Sequence, residues 1–263
     1  MKNLIFAAAL SLPFSITQAE IVGKDVEYKK GELTFEGFHA YDSKVKGKRP
    51  AVLVIHQWTG LSDYEKRRCR ELAALGYNAF ALDIYGKGIR PPAPKESGAM
   101  AGKFKGDRKL FRERLRAGLE VLMKEERTDA DKVAAIGYCF GGTGALEVAR
   151  MQPGIMVKGV VSFHGGLAPA EGMELGHWAV NPKILVLHGA ADPYSPESDV
   201  AAFRKEMEAA KADYQVVLYG PNVVHSFTQP HAGNDPSKGA AYDEVSDKRS
   251  WIAMKAFFSE IFE

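Results

Sequence analysis

The sequence of 263 residues is poor in cysteine, with only Cys69 and Cys139. Small domains stapled by disulfides are short and rich in cysteine, so that class of protein is excluded. A bond between the two cysteines is an alternative. However, Cys69 falls in the middle of a predicted helix and Cys139 at the end of a predicted strand, which favours two separate thiols.

The sequence also lacks an excess of charge of either sign. Its 35 Lys and Arg residues oppose 33 Asp and Glu residues, which gives a formal net charge of +2. The basic residues of Lys66–Arg68 and Lys103–Arg116 alternate with acidic and apolar residues, a pattern typical of solvated helix faces. We therefore expect no nucleic-acid partner.

Sequence patterns for a cofactor or a metal are missing as well. The glycine-rich run Gly141–Gly144 lacks the lysine and the spacing of a phosphate-binding loop. No group of His, Cys and carboxylate residues has the spacing of zinc ligands. We therefore expect neither a cofactor nor a metal.

The chain has no Pro/Gly/Ser-rich linker and no internal repeat, so we expect one domain over residues 20–263. Before it, Lys2 precedes the apolar stretch Leu4–Ile16, and Thr17–Ala19 forms a cleavage site. This stretch is too short to span a membrane and predicts a secretory signal peptide over residues 1–19. An ordinary N-terminal helix is the alternative. We expect a secreted protein without a stable membrane anchor, periplasmic if the source is a Gram-negative bacterium.

After a short β-hairpin, strand-like and helix-like patterns alternate along the chain. Continuous apolar runs such as residues 51–56 are typical of strands buried on both faces of a parallel sheet. The sequence therefore predicts an α/β fold, with a mainly parallel central sheet and helices on both faces. The predicted strands are 26–28, 33–41, 51–56, 79–84, 133–137, 157–163, 183–188 and 214–219, and the helices are 63–75, 107–124, 141–151, 196–211 and 242–262.

One segment fits neither pattern. Residues 89–106 are rich in Pro, Gly and Lys and show no clear period. They predict a long surface excursion, which could serve as a lid over a site.

The run Gly137–Gly141 (GYCFG) follows a predicted strand and precedes a predicted helix, which is the setting of a nucleophile elbow in an α/β-hydrolase fold. Glycines flank Cys139 because larger side chains would collide with the neighbouring strand and helix. The helix N-terminus lowers the pKa of a thiol placed there. We therefore predict Cys139 as the nucleophile; a buried, inert cysteine is the alternative.

A nucleophile of this kind needs a base and an orienting acid, which follow it in that fold in the order acid, histidine. Asp192 lies in a turn after one strand and His225 in the loop after the last strand, so we predict them as acid and base. His164 also ends a strand, but no acid follows it in the required order. We expect His164 to line the substrate pocket.

An oxyanion hole in this fold uses two backbone N–H groups. One should come from Phe140, directly after the nucleophile. The other should come from the loop after the strand 51–56, where Trp58 is the natural donor. We expect the Trp58 indole to form a wall of the pocket.

Together these residues resemble the dienelactone hydrolase family. The resemblance covers residues 26–262, and a Cys rather than a Ser at the elbow is its most specific part. The matching runs are Gly137–Gly142, His188–Asp192, His225–Thr228, His56–Trp58, Leu82–Gly86, Ser162–Gly166 and Arg249–Trp251.

The resemblance implies hydrolysis of a small-molecule ester or lactone through a thiol-ester acyl-enzyme; the family's type activity opens dienelactone to maleylacetate. One position departs from the family, which usually has a Glu where this chain has Gln57. That Glu contacts the resting thiol, and a neutral amide cannot take up its proton. We therefore place Gln57 in the pocket and expect activation of Cys139 by His225 alone, with dienelactone itself a poor substrate.

Three alternatives stay open: a thioesterase, a carboxylesterase for another substrate, or a binding protein on the same scaffold without turnover. We expect a monomer. The family's arginines for a substrate carboxylate have no assigned counterpart, although Arg90 lies in a suitable loop.

Overall fold

The computed structural model describes residues 19–151, 157–168 and 182–263. Of the predicted signal peptide, only Ala19 falls within the described residues.

Eight strands and six α-helices follow one another along the described chain. The strands are β1 (Ile21–Lys30), β2 (Leu33–Asp42), β3 (Arg49–Ile55), β4 (Asn78–Ala81), β5 (Thr128–Tyr138), β6 (Gly159–Phe163), β7 (Lys183–Gly189) and β8 (Tyr214–Tyr219). The helices are α1 (Asp63–Ala74), α2 (Pro94–Gly106), α3 (Arg108–Lys124), α4 (Phe140–Arg150), α5 (Glu197–Ala209) and α6 (Glu244–Phe262).

The strands form one sheet in the order β1-β2-β4-β3-β5-β6-β7-β8. The first two pairings, β1 with β2 and β2 with β4, are antiparallel, and the others are parallel. Since parallel strands end at the same edge of a sheet, the loops after β3, β5, β6, β7 and β8 meet there. These loops carry every residue that the sequence places in the site.

Two hydrophobic clusters cover the two faces of the sheet. One contains side chains of α2, α3, α4 and α5, and the other contains side chains of α1 and α6. Central strands are therefore buried on both faces, which explains their continuous apolar runs. The predicted architecture, a mainly parallel sheet between two layers of helices, is confirmed.

The prediction for residues 89–106 is wrong in one respect, because the segment contains the helix α2. Pro94 occupies its first turn, where a proline costs no hydrogen bond. Phe104 anchors α2 to the body of the protein by packing on the rings of Tyr85, Phe111 and Phe140. This packing outweighs the low helix propensity of the glycines in the segment.

The two thiols are free and lie on different faces of the sheet. Cys69 in α1 is completely buried in the cluster under α1 and α6, whereas Cys139 packs against the other cluster. Among the described residues, we find no helix with the length and hydropathy that a membrane span requires.

Candidate active site

Cys139 stands alone between a strand and a helix. β5 ends at Tyr138 and α4 begins at Phe140, so the chain reverses direction within one residue. Cys139 therefore adopts φ 56° and ψ −117°, a conformation that non-glycine residues rarely adopt. Its carbonyl oxygen accepts hydrogen bonds from the N–H groups of Gly142 and Thr143, at 2.9 and 3.2 Å, which holds the turn against α4.

The flanking glycines are required by contact distances. A Cβ atom on Gly137 would lie 1.8 Å from the carbonyl oxygen of Gly141, and one on Gly141 would lie 2.1 Å from the carbonyl oxygen of Ile55. Both contacts involve backbone atoms that cannot move aside. The sharp turn that exposes Cys139 therefore exists only because both positions lack a side chain.

Asp192 and His225 reach the same edge of the sheet from the turn after β7 and the loop after β8. His225 Nδ1 lies 2.7 Å from Asp192 Oδ2 in a hydrogen bond. The other carboxylate oxygen, Oδ1, accepts from the N–H of Tyr194 at 2.8 Å. Because the Asp192 side chain is fully buried, these two bonds fix the orientation of the imidazole.

The second ring nitrogen of His225 bonds the sulfur of Cys139, and the two groups shift each other's titration. Burial opposes ionisation of the thiol, but the charge and hydrogen bond of His225 outweigh it and lower the pKa of Cys139. Burial likewise opposes a charged imidazole, yet the thiolate and the Asp192 carboxylate raise the pKa of His225 to about 10. The geometry therefore favours a thiolate–imidazolium pair.

A cavity of about 320 Å³ opens directly over Cys139 and His225. Most of its wall is apolar, with Trp58, Phe140 and Tyr194 among its lining residues. Trp58 and Tyr194 are 38% and 63% exposed. The cavity can therefore take an apolar group close to the sulfur of Cys139.

The helix α2 supplies one side of this cavity, so part of residues 89–106 belongs to the site as a helix rather than as an irregular loop. Gly98, Ala101 and Gly102 line the cavity on successive turns. No atom lies within 4 Å of a Cβ placed on Gly102, so the missing side chain leaves open space. No sequence signal indicates this role, because the pattern of the segment does not predict a helix.

Lys105, also on α2, lines the cavity and lowers the pKa of Cys139 through its charge. Sequence reasoning missed it. Arg90 points elsewhere: its Nε donates to the carbonyl oxygen of Leu61 at 2.6 Å, and its guanidinium lies 3.7 Å from Asp83.

Phe140 and Trp58, whose N–H groups are the predicted oxyanion donors, both line the cavity. Phe140 N–H already donates to the sulfur of Cys139. Trp58 lies in the loop after β3, and its carbonyl oxygen accepts from the hydroxyl of Tyr85 at 2.9 Å, which anchors the peptide between Trp58 and Thr59.

Gln57 is buried but is not among the residues that line the cavity. Its side chain donates to Oε1 of Glu65 at 3.4 Å, and its backbone N–H donates to the same oxygen at 3.2 Å. Glu65 also caps α1 together with Ser62. The Ser-x-x-Glu spacing of a capping box was the available sequence signal for this carboxylate.

His164 also differs from its prediction as a pocket residue. It is completely buried and does not line the cavity. Its Nδ1 accepts a hydrogen bond of 3.1 Å from the backbone N–H of Cys139. His164 therefore contacts the turn that carries the sulfur rather than the space above it.

Comparison with known proteins identifies the family to which this chain is similar. The profile of the Dienelactone hydrolase family matches residues 35–262. A Caenorhabditis elegans protein of unassigned function, K02A2.1, is 39% identical over 150 residues, which span 57% of this chain and 92% of the worm protein. Protein usf of Aquifex pyrophilus is 26% identical over 243 residues, which span 91% of this chain and 99% of that protein.

Two solved structures are similar over 92% of this chain and 99% of their own. The structure named m3DLH has a TM-score of 0.86 at 36% identity. A dienelactone hydrolase-like promiscuous phosphotriesterase, P91, from metagenomic libraries has a TM-score of 0.82 at 38% identity. With its α/β-hydrolase fold and a family match over most of its length, this chain belongs to the dienelactone hydrolase family of hydrolases.

Proposed function

We propose that the protein hydrolyses small carboxylic esters or lactones through a covalent intermediate on Cys139. The observation that carries this proposal is the hydrogen-bonded series Cys139–His225–Asp192 at the floor of an apolar cavity. A nucleophile, its base and an orienting acid in contact are the arrangement that acyl transfer requires.

In the first half of the reaction, the Cys139 thiolate attacks the carbonyl carbon. The negative charge that forms on the carbonyl oxygen is held by the N–H groups of Phe140 and Trp58. As the carbon–oxygen bond to the alcohol breaks, the leaving oxygen takes the proton of the His225 imidazolium. A thioester of Cys139 remains.

In the second half, neutral His225 takes a proton from water while the water oxygen attacks the thioester carbon. Collapse of this intermediate breaks the carbon–sulfur bond, releases the carboxylic acid and restores the thiolate. Asp192 keeps its negative charge throughout and stabilises the imidazolium each time that it forms.

The cavity supports an uncharged or weakly polar acyl group. Trp58, Phe140 and Tyr194 offer apolar surface to it, and Lys105 is a cation at its edge. The volume of about 320 Å³ lies at the lower end of small-molecule sites, so compact substrates fit it best.

The test is hydrolysis of a panel of aryl esters, dienelactone, thioesters and a phosphotriester by the chain from residue 20 onward. The phosphotriester is included because P91, to which this chain is similar, is a promiscuous phosphotriesterase. Cys139→Ala is assayed beside it, and mass spectrometry looks for an acyl group on Cys139.

We expect turnover of at least one ester class, its loss in Cys139→Ala by a factor of about 10³ or more, and an adduct on Cys139. Faster thioester than oxyester turnover would assign a thioesterase. No turnover and no adduct across the panel would favour a binding protein. Turnover that survives Cys139→Ala would refute the thiol mechanism.

A further inference from the structure

A buried series of hydrogen bonds runs from the nucleophile into the protein, away from the cavity. It starts at the backbone N–H of Cys139, which donates to His164 Nδ1 at 3.1 Å. His164 Nε2 lies 2.8 Å from the hydroxyl oxygen of Thr228, and that oxygen lies 2.7 Å from the hydroxyl of Tyr64. Arg68 Nε donates to the Tyr64 hydroxyl at 3.3 Å.

The backbone N–H of Cys139 at one end of this series fixes which nitrogen of His164 carries the proton. A backbone N–H can only donate, so His164 Nδ1 carries no proton. The proton of a neutral His164 then sits on Nε2 and points at Thr228. At the far end Arg68 also can only donate, so the Tyr64 oxygen accepts from Arg68. The Tyr64 hydroxyl lies 3.2 Å from the Thr228 carbonyl oxygen, to which it can donate, and either hydroxyl can be the donor between Tyr64 and the Thr228 side chain.

We propose that His164 is a positioning residue, held by Thr228 in the Nε2–H tautomer so that its Nδ1 anchors the strained backbone of Cys139. This inference rests on the proposed function, because it assumes that Cys139 is the nucleophile. His164 does not touch the substrate in this role. It acts on the sulfur through the peptide that carries it.

The geometry of the turn explains why the backbone of Cys139 needs the hydrogen bond to His164. Cys139 has a positive φ, which is unfavourable for a residue with a side chain and persists only when neighbouring groups hold it. Its N–H also donates to the carbonyl oxygen of Phe163 at 3.0 Å, as part of the pairing of β5 with β6. His164 adds a second acceptor at the one residue where the strand pairing ends.

The charges around His164 keep it neutral. Burial first, and then the positive charges of His225, His188 and Arg68, lower the pKa of His164 well below its ordinary value. A second proton on Nδ1 would face the Cys139 N–H directly. The cation on His225 in the thiolate–imidazolium pair therefore also protects the acceptor on His164.

Thr228 links this anchor to the base. It lies three residues after His225, on the same loop, and it is completely buried. Tyr64 belongs to α1, on the other side of the loop from the nucleophile turn. Loss of the Thr228 hydroxyl would free His164 to adopt the other tautomer, which would place Nδ1–H against the N–H of Cys139.

The first experiment reads the tautomer in the unaltered protein by ¹⁵N NMR of histidine-labelled samples, with His164→Asn used to assign the signal. We expect His164 to show a proton on Nε2 and none on Nδ1 across the neutral range. A proton on Nδ1, or a freely exchanging pair of tautomers, would overturn the proposal. This measurement needs no mutant to be active.

The second experiment compares Thr228→Val, which keeps the shape of the side chain, with Thr228→Ser, which keeps the hydroxyl. We expect Thr228→Val to lower kcat about tenfold with little change in KM, the effect of one lost hydrogen bond. The alkylation midpoint of Cys139 should move to higher pH in the same variant. Thr228→Ser should restore both quantities to within about threefold.

A residue that served only for packing would give the opposite order, with Val better tolerated than Ser, and that result would refute the role of the hydroxyl. Iodoacetamide labelling of Cys139 separates this proposal from the proposed function. If no substrate is turned over but the alkylation midpoint still moves in Thr228→Val and returns in Thr228→Ser, only the proposed function fails. If turnover is robust and neither quantity moves, only the anchor fails.

Discussion

The side-chain nitrogen of Gln57 lies 3.4 Å from Oε1 of Glu65, and Glu65 is completely buried. The carboxylate next to the oxyanion loop is therefore that of Glu65 in α1. The amide of Gln57 donates a hydrogen bond to this carboxylate and does not approach the thiol. The hydroxyl and the backbone N–H of Ser62 bond its other oxygen, at 2.6 and 2.9 Å.

This pairing predicts that Gln57→Glu is destabilising. Two buried carboxylates in contact repel each other, so the free energy of unfolding should fall by about 2 kcal/mol when both are ionised. The loss should be larger at pH 8 than at pH 5, because a shared proton relieves the repulsion. Urea unfolding at the two pH values measures it.

The double variant Gln57→Glu with Glu65→Gln is the matched control, since it exchanges the carboxylate and the amide. It should recover most of the stability. Equal stability of the single variant and the parent at both pH values would contradict the pairing. The double variant also tests whether a carboxylate at position 57 changes thiol reactivity and dienelactone turnover.

The thiolate–imidazolium pair predicts the pH dependence of Cys139 alkylation. The thiolate is present above the lowered pKa of Cys139, and the imidazolium persists until the pH passes the His225 pKa of about 10. In His225→Asn the stabilising cation is lost, so the alkylation midpoint should move to higher pH.

The rate of Cys139 alkylation by iodoacetamide, measured between pH 5 and pH 10, gives the midpoint for the parent and for His225→Asn. Cys139→Ala provides the blank, because the remaining Cys69 is completely buried. Identical midpoints in the parent and in His225→Asn would show that the imidazole does not stabilise the thiolate.

Gly141→Ala should unfold the elbow. Its Cβ would lie 2.1 Å from the carbonyl oxygen of Ile55, so β3 or α4 must shift, at a cost of about 3 kcal/mol or more. Gly106→Ala is the control, since no atom lies within 4 Å of its Cβ and it also belongs to a helix. Thermal unfolding of both variants compares them, and an equal Tm would disprove the clash.

Gly102→Leu should narrow the range of substrates without unfolding the protein. The new side chain projects into the cavity, so kcat/KM should fall about tenfold or more for bulky acyl esters and much less for acetates. Gly106→Leu lies on the same helix outside the cavity lining. It should leave the ratio of kcat/KM for bulky acyl esters to kcat/KM for acetates unchanged. A uniform loss across acyl lengths would place α2 outside the acyl site.

We propose that residues 1–19 are removed on export, so that the mature chain begins at Glu20. Glu20 N lies 3.0 Å from Asp42 Oδ1, and Glu20 O accepts from the N–H of Ser43. Cleavage would turn that nitrogen into an ammonium group and the contact into an ion pair.

N-terminal sequencing of the exported protein should therefore start at Glu20. Asp42→Asn should lower the Tm of the mature chain more than that of a chain that keeps Ala19. Ala19→Arg disrupts the cleavage site and is the control for removal of residues 1–19. Recovery of the full-length chain from the cytoplasm alone would contradict export.

The sequence patterns predict the architecture more completely than they predict the details of the site. Continuous apolar strands predict a sheet that is covered on both faces, and chain order places Cys139, Asp192 and His225 on loops at one edge. The sequence did not predict the helix α2, because Gly98 and Gly102 weaken the helical pattern. The packing of Phe104, which stabilises this helix, is visible only in three dimensions.

The contacts of individual side chains were the second feature that the sequence did not predict. Sequence reasoning places His164 in the pocket because it follows a strand at the functional edge, and the family resemblance places Gln57 there. Which way a side chain turns there depends on contacts distant in sequence, such as the bond between His164 and Thr228, which are 64 residues apart. No periodicity or spacing encodes such a contact.

The burial of Cys69 on the opposite face of the sheet leaves the reactive sulfur without a partner thiol in its own chain. Oxidation of Cys139 to a sulfenic acid could therefore not be captured as an internal disulfide. The enzyme would recover only through a small thiol or reductase from outside, and otherwise would proceed to the irreversible sulfinic acid. Its working lifetime in an oxidising environment would then be set by the supply of external reductant rather than by the stability of the fold.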